Sequence, residues 1–185
     1  RLYYNMGNAW YKTGNMGKAI LYYEKALKLN PAGEDALNNL QIAKLQTLDK
    51  IDVLPEFIVS TWIKDIRNLM SSNGWGYTAV GLFAVVCILL LLFKFAPTTG
   101  GRKLSFVLAC VVFLFFIFAV LFAFSLRAKA KSEDNAVVMV PVSNVKSAPN
   151  STGNNLCILH EGSKVVILEQ AGKWCRIEIS DGRQG

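Results

Sequence analysis

The stretch WGYTAVGLFAVVCILLLLF, Trp75 to Phe93, carries no charge, and neither does LSFVLACVVFLFFIFAVLFAFSL, Leu104 to Leu126. A helix needs roughly 20 apolar residues to cross the hydrocarbon core, so each run is long enough. Lipid offers no partner to backbone polar groups, so such runs must be helical. Between them stands KFAPTTGGRK, Lys94 to Lys103, with Pro97 and Gly100-Gly101 as breakers and Lys94, Arg102 and Lys103 as charges. Two core helices of a soluble protein fit this poorly, because the runs are adjacent, uncharged and flanked by basic residues. The expectation is a membrane hairpin with both ends on one side: transmembrane helix 1 over 75–95, a basic turn over 96–103, transmembrane helix 2 over 104–126.

The remaining sequence is ordinary soluble material, with room for one small domain on each side of the hairpin. The formal charge of +7 over 185 residues is spread along the chain, with no dense Lys/Arg block. Nucleic acid is therefore not an expected partner. Part of the excess, Arg127, Lys129 and Lys131 with the turn residues, suits lipid headgroups and topology signals. The chain begins without Met inside a helical pattern and ends at DGRQG inside a motif, so it reads as a piece of a longer protein. Cys87 and Cys110, within the apolar runs, read as small packing residues. Cys157 and Cys175 could pair only in an oxidising compartment, and their spacing fits no metal site.

Residues 1–50 read as helices. Two patterns meet at TGNMG, Thr13 to Gly17, a turn-rich joint. Tyr3, Met6, Gly7 and Trp10 make one packing face; Ala19, Tyr22, Tyr23, Ala26 and Leu27 make the other, and Asn30-Pro31 stops the second helix. Small residues at Gly7, Ala19 and Ala26 let the helices approach closely. These offsets, through Pro31, resemble the tetratricopeptide repeat. Glu34 to Gln46 repeats the first-helix spacing with Leu37, Leu40 and Lys44, and reads as a capping helix. A single repeat cannot bury its own faces, which implies further repeats upstream. The resemblance implies a groove that holds a partner protein. The face not used for packing carries Tyr4, Asn8 and Lys12, with Asn38 in the next helix, and these are the candidate partner-binding residues. A solvated helix face is the competing reading for each.

Residues 51–74 contain Leu54, Ile58, Trp62, Ile66 and Leu69 near one helical stripe, with Lys64, Asp65 and Arg67 off it. This is either an amphipathic juxtamembrane helix or a last helix under the repeat; Trp62 and Trp75 favour the membrane. Ser71 to Gly74 should break it before the span.

After a polar tether over 127–135, residues 136–185 read as short strands: Ala136–Val142, Leu156–Leu159, Lys164–Gln170 and Lys173–Ile179, punctuated by turns. Their spacing suggests a small, partly open barrel. Asn144 to Pro149, Leu159 to Gly162, Gly172-Lys173-Trp174 and Asp181 to Gly185 resemble the bacterial SH3 family, with Lys146 in place of its arginine and Ala148 in place of its glycine. That resemblance implies a domain outside the cytoplasm that binds peptides or cell-wall material, with Trp174 in the ligand groove. A Trp174 that covers one end of the barrel core is the equal alternative.

No catalytic, metal or cofactor constellation is legible. His160, the one histidine, has no Cys, Asp or Glu near it at a recognisable spacing. The expected fold class is a multidomain membrane protein: an all-α tetratricopeptide helical repeat, a transmembrane helical hairpin and a small all-β SH3-like barrel. This order of parts resembles the Bacteroides aerotolerance (Bat) group. The group implies a scaffold of an envelope or stress-tolerance complex in the bacterial inner membrane, beside von Willebrand A-type membrane proteins and a MoxR-type ATPase. Counting positive charges would place the flanks in the cytoplasm. The SH3 resemblance places both soluble domains in the periplasm and the turn 96–103 in the cytoplasm, and that is the expectation adopted. The runner-up function is a peptidoglycan-binding anchor.

Overall fold

The joint at TGNMG ends α1 (Leu2–Lys12) and opens α2 (Met16–Leu29). Gly14 turns the chain with a φ of +79°, where a side chain would be strained. The Asn15 side chain then accepts from the Lys18 N–H and caps α2. After Pro31 comes α3 (Glu34–Leu45), with Glu34 and Asp35 in its first turn, where the helix dipole favours negative charge. Helix α2 packs against both α1 and α3 through Ala19, Ile20, Tyr23, Leu40 and Ala43, flanked by Tyr4, Trp10, Tyr11 and Leu27. Gly7 is where α1 meets α2: a Cβ there would stand 2.5 Å from the Tyr23 ring. Helix α3 is phased differently from the expectation. Its buried residues are Ala36, Leu40 and Ala43, whereas Leu37 and Lys44 are exposed. Spacings of four and three residues suit that apolar stripe equally well, and Lys44 bonds Glu24 at 3.2 Å.

The structure, a computed structural model, describes residues 1–50, 57–132, 134–150 and 152–185. They divide into two units: Arg1–Ile63 with Lys131–Gly185, and Lys64–Ala130. The first joins the helical repeat to a β region of five strands: β1 (Asn135–Val137), β2 (Val142–Lys146), β3 (Asn155–His160), β4 (Lys164–Ala171) and β5 (Trp174–Ile179). All pairings are antiparallel, in a three-stranded sheet ordered β1-β4-β5 and a two-stranded sheet β2-β3. Val145, Leu159, Val165 and Ile179 form their core. The described strands do not close a barrel. The run expected as one strand, Ala136–Val142, is interrupted over 138–141, where Pro141 has no N–H to donate to a ladder; 136–137 pair with β4 in β1, and Val142 pairs with β3 in β2. Cys157 and Cys175 are free thiols in different sheets.

In the second unit, α5 (Ser72–Phe95) and α6 (Thr99–Lys131, of which 99–130 belong here) are long and apolar enough to cross a membrane. Only 11% of the most apolar stretch of each is buried, unlike a soluble core helix. Trp75 meets Phe122 edge-on, Phe83 meets Phe116 and Phe93 meets Phe106, while Ala79, Val86, Ala109 and Ala119 are buried. The basic turn is shorter than its sequence suggests. Only Ala96–Thr98 separate the helices, and Gly100 and Gly101 lie in the first turn of α6, where the Thr98 hydroxyl accepts from the Gly101 N–H. Glycine is tolerated in a first turn, and Pro97 suffices to break the chain. Residues 127–131 continue α6 instead of forming a tether. Ser71 likewise caps α5 through the Gly74 N–H, so 72–74 belong to the helix. Cys87 and Cys110 face outward. Of the stretch 51–74, α4 occupies Ile58–Asn68, of which 58–63 belong to the first unit and 64–68 to the second; Leu54 lies outside the described residues.

Candidate partner-binding groove

Helices α1 and α3 leave a cavity of about 340 Å³ between them, floored by α2 and lined by Asn8, Tyr11, Lys12, Tyr23, Asn39 and Ile42. The Asn8 Oδ1 holds it together, accepting from the Tyr23 hydroxyl at 2.7 Å and from Asn39 Nδ2 at 2.8 Å. Gln46 Nε2 donates to the Tyr11 hydroxyl at 2.6 Å, fixing that ring at the rim. Burial pushes the Tyr23 phenol above its ordinary value, so the ring stays a donor. Among the described residues nothing accepts from Asn8 Nδ2, and no carboxylate stands within ion-pair distance of the exposed Lys12. The groove therefore presents an amide donor, aromatic walls and one cation.

Of the sequence-derived candidates, Asn8 and Lys12 line this cavity. Tyr4 lies beside it, half-buried, with its ring 6.3 Å from Tyr23 and its hydroxyl 3.5 Å from Asn39 Nδ2. Asn38 is exposed and does not line it; its neighbour Asn39 does. That placement follows from the phase of α3, because one residue is a 100° rotation on a helix. Spacing Ala36, Leu40 and Ala43 as the buried stripe would have found Asn39. Trp174 opens β5 opposite Ala171, 39% exposed and outside the β core.

A second cluster joins the β region to the helices. The turn His160-Glu161-Gly162-Ser163-Lys164 touches α2 or the segment that follows α3 at every residue. Asp49 accepts from the His160 N–H at 2.6 Å and from the Ser163 hydroxyl, and its other oxygen stands 2.7 Å from His160 Nδ1. Glu161 accepts from the Gly17 N–H at 3.0 Å, in the first turn of α2. Lys164 meets Glu24 at 2.7 Å. Gly162, at a φ of +92°, lies where a Cβ would be 2.6 Å from Thr47 and 3.0 Å from Ile20. Burial pushes the Asp49 carboxyl up, but the bonds from Ser163 and His160 outweigh it and hold it below the usual range. For Glu24, Lys164 and Lys44 likewise overcome burial. The Ser163 hydroxyl donates to the carboxylate and not to the imidazole, unlike a nucleophile paired with its base. Sequence reading left His160 isolated because Asp49 is 111 positions away.

The comparisons bear on the helical part. The family model for the tetratricopeptide repeat matches residues 1–32. Those residues form α1, the joint and α2, which supply Asn8, Tyr11, Lys12 and Tyr23 to the groove. No curated protein and no solved structure matches the chain.

Proposed function

We propose that the protein is a non-catalytic, membrane-anchored scaffold whose repeat groove holds a segment of a partner protein. The groove carries the reading: an extended peptide offers backbone carbonyls to Asn8, apolar side chains to Tyr11 and Ile42, and an acidic group to Lys12. Anchoring is supported by the length and exposure of α5 and α6. The order of parts supports assignment to the BatE type of the Bacteroides aerotolerance group, in the inner membrane, with the soluble unit in the periplasm, the 96–98 turn in the cytoplasm and von Willebrand A-type membrane proteins as partners. An SH3-like reading of the β region, with Trp174 at a second ligand, belongs to the same proposal. Docking of that region onto the repeat favours one combined platform over two independent modules. The test is co-purification after mild detergent extraction, comparing Asn39→Ala with Asn38→Ala. Asn39→Ala should weaken partner capture roughly tenfold by removing one of the two donors that hold Asn8 in place, and Asn38→Ala should not. Equal effects from the two, or no captured protein, would remove the groove reading.

The exposed indole of Trp174 favours a second reading, an anchor that binds peptidoglycan through the β region. Retention of the chain on purified cell wall, abolished by Trp174→Ala, would support it.

A further inference from the structure

We propose that α4 lies along the bilayer surface, with Ile58, Val59, Trp62, Ile63, Ile66 and Leu69 in the boundary between headgroups and acyl chains. This rests on the reading of α5 and α6 as spans. At 100° per residue the five within α4, Ile58 to Ile66, fill one arc of roughly 140°, Leu69 follows in the turn after it, and Ser60, Thr61, Lys64, Asp65, Arg67 and Asn68 fill the rest. Every one of the six is at least half exposed, and α4 buries none of its residues. A face this apolar would be core in a soluble helix. Here nothing among the described residues covers it.

Continuity with the apolar helices identifies the occupant as lipid. The indole Nε1–H of Trp75, in the first turn of α5, donates to the Arg67 carbonyl at 2.8 Å. Arg67 also reaches the Ser125 hydroxyl of α6 at 3.3 Å, and Ser72 bonds the Ala123 carbonyl at 2.9 Å. The last turn of α4 is thereby fixed beside the first turn of α5 and the end of the uncharged run of α6, the level at which a bilayer would give way to headgroups. An 11-residue helix spans about 16 Å, roughly half the hydrocarbon thickness, so it lies along that level and not across it. Among the described residues nothing accepts from the Trp62 indole N–H, a group that suits the headgroup zone while its ring suits the acyl boundary. Helices with one apolar arc and one polar arc bind such surfaces by burying the apolar arc roughly 5–10 Å deep.

The test uses the full chain in phosphatidylcholine vesicles whose acyl chains carry bromine either near the glycerol or near the methyl end. The emission difference between the chain and its Trp62→Phe variant isolates Trp62. A membrane-impermeant maleimide, applied in parallel and followed by peptide mass mapping, reads Cys87 in α5 apart from the other three thiols. The expected result is a shielded Cys87 and a Trp62 quenched more strongly by the shallow bromines than by the deep ones. Changing Ile58 and Ile66 together to Ser should shift Trp62 emission to the red and remove the shallow quenching, with Cys87 still shielded. A shielded Cys87 with Trp62 unquenched by either lipid overturns the proposal and assigns the face to protein, a second copy or a partner. Shallow quenching that survives the double change overturns it as well. A reactive Cys87 removes the spans themselves, and the proposal with them.

Discussion

Gly7 has no room for a methyl group. Its Cβ would enter the Tyr23 ring, and that ring cannot turn aside without breaking its bond to Asn8. Gly7→Ala should therefore cost about 1–3 kcal/mol, although alanine is the better helix former. Denaturant unfolding of the detergent-solubilised chain measures this, and an unchanged midpoint would show that the contact is slack. The carboxylates of the β-region contact set a second expectation. Asp49 and Glu24 have folded-state values below the 3.8 and 4.5 of the free groups. The stability they contribute is complete above those values and is lost as pH falls through the lower folded values. The unfolding midpoint should be flat from neutrality to about pH 5 and fall below about pH 4. Asp49→Asn should shrink that fall, since the amide no longer titrates; an equally steep fall would mean that other carboxylates cause it.

At the scale of elements, sequence and structure part company where a rule of composition had two outcomes. The helix pair of the repeat was legible because Gly7, Tyr23 and the TGNMG joint each allow one local solution. Asn39 was missed because α3 is weakly patterned, and two stripes through Leu40 differ by only one residue in phase. Gly100 and Gly101 were read as breakers, yet glycine only weakens a helix where Pro97 forbids it. A Cβ on Gly100 meets nothing within 4 Å. Gly100→Ala should hence stabilise the start of α6 by about 0.5–1 kcal/mol, visible as a raised melting temperature in detergent. A fall instead would mean that the turn needs the glycine. Residues 136–142 were read as one strand for a related reason: their composition is apolar throughout, and the break over 138–141 includes Pro141, which has no N–H for a ladder.

For the molecule as a whole, the informative contact is the one no local pattern contains. The turn 160–164 binds helices more than a hundred residues away, so repeat and β region are halves of one unit. Trp10 in α1 and Trp174 in β5 should report a single thermal transition, each read as the emission difference between the chain and the variant in which that tryptophan is Phe. Asp49→Ala leaves the Ser163 hydroxyl buried without its acceptor and should separate the two transitions, at a cost of about 1–3 kcal/mol. Separate transitions in the unaltered chain would mean that the halves fold alone.

The same contact has a consequence for biosynthesis. Asp49 is made 111 residues before His160 and 114 before Ser163. At translation rates of about 5–20 residues per second, its carboxylate waits roughly 5–25 s for them. During that wait the two most apolar segments of the chain leave the ribosome, and the nascent helical half is without the turn that completes its packing. A chain stalled within α6 would therefore expose an unfinished repeat as well as an unfinished hairpin.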